Sequence, residues 1–349
     1  MKYRTFPNSD VTVSELGFGL WTLSTGWWGD VDQAQAIRLL HRAHDLGVTF
    51  YDAADTYGNG KSEELLAKAF KGRRGRVVLA TKVGYDIYGP DTHADAQTHR
   101  GQAELPQNWD PTYIRFAVEK CLERLQTEVI DFLQLHNCKM DCVRADALYE
   151  ELGRLKSEGK IRLWGGAFGP AIGWLYESIE LMERRRPDGV QMIWNLLEQH
   201  PGTRMVEVGG PLDVGFVTRV THSSGLLEGK YTADTVFPEG DHRRHRPRSW
   251  LVNGLKKVEK LGFLTEGTGR TLGQAALKWL LAEPKVVSNL PNIYGAEQLE
   301  EFAAVSDVPD LTAGELKRIR ELYETNFGIE EEPMKYKGTM TEAQYSASS

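Results

Sequence analysis

The sequence predicts an α/β protein of one domain, a closed (β/α)8 (TIM) barrel with a short N-terminal β-hairpin as a cap. Three observations carry that prediction. Eight short runs are apolar almost without interruption, as strands buried on both faces must be. Most are separated by stretches with apolar residues at helical spacing, which makes the sheet parallel. Polar residues then stand at the ends of several runs. A doubly wound open sheet is the alternative, but Gly17-Phe-Gly19-Leu-Trp-Thr breaks the Gly-x-Gly-x-x-Gly turn that such a sheet uses for dinucleotides.

The runs, in order, are LGFGLW (16–21), VTF (48–50) continuing into Tyr51 and Asp52, RVVLATK (76–82) and VIDFLQLH (129–136). KIRLWGGAF (160–168), DGVQMIW (188–194), VGFVTRV (214–220) and KVVSNLP (285–291) complete the eight. The first helix, 32–46, carries Ala34, Ile37, Leu40 and Ala43 on one stripe, with Asp32 as its cap and Gly47 as its stop. Helices follow at 62–70, 111–125, 143–157, 171–184 and 271–281. A last pair, 296–304 and 312–327, supplies an extra C-terminal helix. Residues 1–327 are read as the barrel and 328–349 as a polar tail.

The 349 residues exceed a bare barrel by about 100. The surplus is assigned to the N-terminal segment, the extra helices, the tail and two long loops, 84–110 and 221–250. Hydrophobic residues make up 41% of the chain, which excludes general disorder. No apolar run approaches the ~18 residues of a membrane span. The opening MKYRTFPNSD lacks the apolar core of a signal peptide, so a cytoplasmic location is expected. Cys138 and Cys142 have no second Cys/His pair beside them, so no metal site is expected. A net charge of -7 argues against nucleic acid as a partner, and the basic run at 243–248 is read as a solvated loop.

Chemistry in such a barrel belongs at the carboxyl ends of the strands. There stand Asp52, with Tyr57 just beyond it, Lys82 and His136. Each alone has an ordinary structural use; the four together form an acid/base set. An ammonium beside a tyrosine favours the tyrosinate, and a carboxylate keeps the ammonium charged. A histidine can bond the reacting oxygen or pass a proton. Such a set protonates an oxygen that gains negative charge, as a carbonyl does on hydride reduction.

The same residues lie in segments that resemble the aldo-keto reductase superfamily. YDAADTYGNGKSEELLAKAF (51–70) resembles its first signature, and LATKVG (79–84) and IDFLQLHN (130–137) resemble the segments carrying its Lys and His. The resemblance extends from the N-terminal segment to about Phe327. It implies Tyr57 as general acid or base, Lys82 and Asp52 as the pair that tunes it, and His136 as the group orienting the carbonyl. It also implies an extended nicotinamide cofactor. Asp52, Gly19, Leu20 and Trp21 would stand near the nicotinamide, and Gln191 would bond its carboxamide. RVTHSSGLLEGK (219–230) matches the loop whose backbone and hydroxyls meet the pyrophosphate, with Arg219, Ser223, Gly225, Leu227 and Lys230 as its marked positions. LPNIYGAEQLEE (290–301) matches the adenosine segment, with Asn292, Tyr294 and Gln298 as contacts.

Three departures stand out. Ala167 and Phe168 occupy positions where Ser and Asn usually bond the carboxamide. The adenosine segment lacks the usual Arg and has Phe302 for a common Asn. Because an Arg is the natural partner of a 2′-phosphate, its absence favours NAD(H) over NADP(H). His222 replaces a usual Leu.

Trp21, Trp28, Tyr57, His136 and Trp109 are the candidate substrate contacts, with Trp27 near them. Long mouth loops set specificity, and their polar composition leans toward a hydroxylated, sugar-like substrate. Oligomeric state is open. Alternatives are a dehydrogenase acting on a sugar in the oxidative direction, a cofactor-binding regulatory subunit on the same fold, and a barrel isomerase or lyase using the same Tyr/Lys pair without nicotinamide.

Overall fold

A computed structural model describes residues 1–26, 28, 31–89, 105–169, 174–331 and 339–348. Strands β1 (Tyr3–Thr5) and β2 (Thr12–Ser14) pair antiparallel as the N-terminal hairpin. Eight parallel strands follow: β3 (Phe18–Gly19), β4 (Phe50–Asp52), β5 (Val78–Val83), β6 (Ile130–His136), β7 (Ile161–Ala167), β8 (Gly189–Ile193), β9 (Gly215–Arg219) and β10 (Val286–Leu290). Each pairs with the next in chain order. A bridge between Leu16 and Asn289, with the Gly17 N–H donating to the Asn289 carbonyl at 2.8 Å, brings β10 back to the start of β3. The sheet is thus a nearly closed barrel, and the open-sheet alternative is set aside.

The Asp32 cap behaves as read, and the structure adds further caps. Asp32 accepts from the Gln35 N–H and opens helix Gln33–Asp45. Asp110 accepts from the Thr112 N–H at 2.8 Å, ahead of Pro111–Leu125. Thr271 and Thr312 each complete a capping box, with Gln274 and Glu315.

Several boundaries differ. After Gly19 the chain turns at once into a short helix, Trp21–Ser24, so the first strand has only two residues. The stretch 143–157 divides at Ala145 into Met140–Arg144 and Asp146–Ser157. Of the stretch 171–184, positions 171–173 lie outside the described residues, and Leu175–Glu180 runs into a wider turn at Leu181–Arg185. Helices Gly202–Gly209 and Arg248–Glu259 were not anticipated; glycines bound the first and Pro247 precedes the second, both of which read as loop signals. Trp27 and residues 90–104 also lie outside the described residues.

The barrel interior is layered. Phe50, Ala80, Phe132, Leu163 and Val217 form an apolar floor, and Phe6 from the hairpin plugs it with its ring 5.1 Å from that of Phe132. Gly165 and Gly189 make room for these rings: a Cβ on Gly165 would stand 2.0 Å from the Gly189 carbonyl oxygen and 2.9 Å from Phe132. Two residues further along each strand the same inner face becomes polar, because side chains repeat faces every second residue. Phe50 is followed by Asp52, Ala80 by Lys82, Phe132 by Gln134 and His136, Gly189 by Gln191, and Val217 by Arg219. Among the described residues no helix is long and apolar enough to cross a membrane. Part of the tail lies on the barrel: the Thr339 N–H donates to Glu177 at 3.0 Å and the Tyr345 ring stacks on Tyr176 at 4.9 Å.

Candidate active site

Asp52, Lys82, Gln134, His136 and Gln191 converge because neighbouring strands place them in register; Lys82 stands opposite Gln134, and His136 opposite Ala167. Lys82 is buried, with 1% of its surface exposed. Its Nζ donates to Asp52 Oδ2 at 2.5 Å and to the Ala53 carbonyl at 2.8 Å, and lies 4.8 Å from the centre of the Tyr57 ring. Burial opposes the ammonium, but Asp52 and Tyr57 outweigh it, and the Lys82 pKa rises above the ordinary lysine value. Lys82 is therefore held charged. Asp52 Oδ1 accepts from Gln134 Nε2 at 2.7 Å and from Gln191 Nε2 at 3.1 Å, so both oxygens of the carboxylate are fixed.

Tyr57 stands on the turn after β4. Its N–H donates to the Ala54 carbonyl at 3.1 Å, and Ser62 Oγ braces the same turn by donating to Ala54 O at 3.0 Å. The His136 ring lies 6.0 Å from the Tyr57 ring, edge to face, and 5.0 Å from Tyr85. Burial, with the positive charges of Lys82 and Arg219, drives the His136 pKa well below its ordinary value. The imidazole is therefore neutral, able to donate a hydrogen bond without being an imidazolium.

Among the proposed substrate contacts, Trp21 meets Tyr57 edge to face at 5.1 Å, and His242 from the long loop after β9 approaches Trp21 at 6.5 Å. Trp109 packs over Gly84, just past Lys82, where any Cβ would stand 2.2 Å from the indole. Trp28 lies elsewhere: it stacks on Tyr294 at 5.4 Å under the Arg243 guanidinium at 4.4 Å.

The cofactor candidates divide into three groups. Gly19 pairs with Asp52 and faces open space, since an added Cβ would meet nothing within 4 Å, which fits a flat ring. Leu20 is buried, and its N–H donates to the Asp52 carbonyl at 2.9 Å. The second group is the turn after β9. Val220, Ser223 and Ser224 all have positive φ (54°, 47° and 56°), and Gly225 follows at 98°. The run makes a tight turn in which the Ser223 and Gly225 N–H groups donate to the Val220 and His222 carbonyls, both at 3.0 Å. Ser223 and Leu227 are buried there while Lys230 is exposed. In the third group the Tyr294 N–H donates to Gln298 Oε1 at 3.1 Å, Gln298 Nε2 donates to Glu228 at 2.8 Å, and Asn292 is half-buried. The set fits an extended nucleotide cofactor.

Two departures now explain each other. His222 bonds the Gly273 carbonyl through Nε2 at 3.0 Å and stacks on Phe302 at 4.4 Å. The pair ties the β9 turn to helix Leu272–Leu281. Burial lowers the His222 pKa to about 4, so the ring is neutral and Nε2 donates.

Sequence reasoning passed over Gln134, although it sits two residues before His136 and so shares its face. Gln107 was also missed. It donates to the carbonyls of His136 and Asn137, both at 2.9 Å, and no local pattern announces it. Asp55, three residues past Asp52, is fully buried, and neither carboxyl oxygen has a partner. Burial and the charge of Glu63 push its pKa well up.

The family model for the aldo/keto reductase family matches residues 15–324. Aldo-keto reductase YhdN of Bacillus subtilis is 28% identical over 327 residues, covering 89% of this chain and 90% of that protein. The NADH-specific methylglyoxal reductase of Escherichia coli is 28% identical over 336 residues, covering 93% and 99%. The structure of a glycerol dehydrogenase from Gluconobacter oxydans is similar with a TM-score of 0.77 at 25% identity, covering 96% of this chain and 99% of that one.

Proposed function

This chain belongs to the aldo/keto reductase family, NAD(P)-dependent oxidoreductases acting on carbonyls, and on that premise we propose that Tyr57 is its proton donor. The supporting observation is the buried Lys82 ammonium, held against Asp52 and beside the Tyr57 ring. When bound, the nicotinamide supplies or accepts the hydride. In reduction, Tyr57 Oη donates its proton to the carbonyl oxygen as that oxygen gains an electron pair. Lys82 stabilises the resulting tyrosinate, Asp52 keeps Lys82 charged and in place, and neutral His136 donates to the same oxygen. In oxidation, Tyr57 takes the hydroxyl proton. Gln191 and the pair Gly19 and Trp21 would hold the nicotinamide end. The 220–225 turn, with Ser223, would hold the pyrophosphate, and Asn292, Tyr294 and Gln298 the adenosine. Substrates are small aldehydes, ketones or sugars enclosed by Trp21 and Trp109. Three cysteines without disulfides suit a reducing cytoplasm.

The reading is tested with purified protein and a carbonyl panel. Tyr57→Phe should lower kcat by roughly 10²–10⁴-fold while NAD(P)H binding persists. Normal turnover by that variant would remove Tyr57 as the donor.

NAD(H) is the proposed cofactor of choice. Glu228 stands beside Gln298 at the adenosine segment, and a carboxylate accepts from a ribose hydroxyl but repels a phosphate. The nearby Arg243 is occupied: it bonds Asp241 and donates to Tyr231 Oη at 2.6 Å. Fluorescence titration should give a lower Kd for NADH than for NADPH. The opposite order would point to the 243–248 run as a phosphate site.

A further inference from the structure

Strand β6 ends at His136, and the main chain turns directly beyond it. Asn137 makes that turn at φ 53°, a left-handed conformation that Asn tolerates better than most residues. The Asn137 N–H donates to the Ala167 carbonyl at 2.8 Å and so extends the ladder between β6 and β7. The carbonyls of His136 and Asn137 are held from another side. Both accept from Gln107 Nε2, each at 2.9 Å. A side-chain amide nitrogen carries two N–H donors, so one Gln107 can satisfy both carbonyls.

Gln107 is delivered by the loop after β5. There 106–108 runs antiparallel to 84–86. Tyr85 bridges Gln107, the Asp86 N–H donates to the Pro106 carbonyl at 2.8 Å, and the Asn108 N–H donates to the Gly84 carbonyl at 2.8 Å. The same short ladder brings Trp109 over Gly84. It also supplies Tyr85, whose ring lies 5.0 Å from the His136 ring and whose Oη accepts from Asn137 Nδ2 at 2.6 Å. Among the described residues His136 Nδ1 has no hydrogen-bond partner. The ring is therefore aimed by the rings around it and by the main chain it leaves, not by a bond at Nδ1.

We propose that Gln107 is a positioning residue: by bonding both carbonyls at the end of β6 it fixes the direction from which His136 reaches the substrate oxygen, and it couples that aim to the loop carrying Trp109. The task given to His136 rests on the proposed oxidoreductase function; the staple on the β6 main chain does not. Gln107 bonds main chain here, so its effect on the reaction passes through the histidine. A backbone shift on the order of 1 Å would misalign the imidazole N–H, and misplacements of that size cost up to ~10²-fold in rate.

Gln107→Met keeps the length of the side chain and removes its donors. It should lower kcat about 5–50-fold, with KM and the NADH Kd within about 3-fold of the wild type. Gln107→Lys, which can still donate to both carbonyls, should recover most of the loss. Should Gln107→Met fail to fold, Gln107→Glu replaces it, since a carboxylate of the same shape accepts but does not donate. A double-mutant cycle with His136→Asn separates positioning from general stability. Added to His136→Asn, the Gln107 substitution should change kcat less than about 2-fold. An equal loss in both backgrounds, or a loss of stability in urea with kcat unchanged, overturns the proposal. A second readout is independent of turnover. In protein with isotope-labelled histidine, with and without NADH, the ring-nitrogen NMR signals of His136 are assigned by their absence from His136→Asn. They should shift or broaden in Gln107→Met and return in Gln107→Lys, and unmoved signals overturn the proposal. A protein that turns over no carbonyl would instead sink the oxidoreductase reading, and the ring signals would then decide the positioning role alone.

Discussion

His222 shows how a single side chain couples chemistry to stability. Its pKa in the fold is about 4, below the 6.5 of a free histidine, because burial disfavours the charged ring. Between those values the unfolded chain binds a proton that the folded chain excludes. The histidine's contribution to stability is therefore whole above pH 6.5 and is lost as pH falls toward 4. His222→Leu should cost roughly 1 kcal/mol at pH 7, because it removes the bond to the Gly273 carbonyl. Its deficit should shrink or reverse by pH 4, because the wild type then loses on the order of 3 kcal/mol that the leucine variant does not. Urea unfolding of both proteins at the two pH values checks this, and a constant gap would refute it. Asp52, Tyr57, Lys82 and His136 were legible one by one, since each ends or follows an apolar run. Gln134 was equally available from period-two alternation. Gln107 was not, because it comes from a loop and acts on the main chain of β6.

At the scale of elements, the turn after β9 is strained. A β-branched residue at positive φ, Val220, is costly by itself. The surroundings hold the turn: Tyr231 Oη donates to the Ser224 carbonyl at 2.8 Å, and Arg243 donates to Tyr231 in turn. Gly225 admits Tyr231 at this point, for a Cβ there would lie 2.1 Å from the phenol oxygen. Gly225→Ala should lower stability by roughly 1–3 kcal/mol and weaken NADH binding, read by chemical denaturation and by titration. Unchanged binding would remove the turn from the cofactor site. The resemblance marked this segment at Gly225, Leu227 and Lys230, but the unexpected helix Arg248–Glu259 only begins at the end of the loop read as 221–250. Its buried Leu251, in one apolar cluster with Leu226 and Leu261, follows a proline and a basic run that read as solvated.

At the scale of the molecule, one tube serves two purposes. Its floor is sealed by the hairpin and Phe6, and its rim is polar. The loops that close over the rim come from opposite sides. Trp109 arrives after β5, while His242 and Arg243 arrive after β9 to meet Trp21 and Trp28. The rim is therefore covered by segments far apart in sequence, and the Arg219 side chain reaches a carbonyl two strands away.

The sequence by itself determined the barrel, its eight strands and the place of Asp52, Tyr57, Lys82 and His136 at its mouth. Those rest on local rules, namely apolar runs, caps, and side chains that alternate faces along a strand. Only the tertiary structure decided where the other side chains go. Trp28 joined Tyr294 rather than Trp21, His222 found Phe302, and Arg219 turned inward to Phe168 and Gly169. Each outcome depends on contacts between residues distant in the chain, and no periodicity within one segment encodes which partner a long side chain will reach.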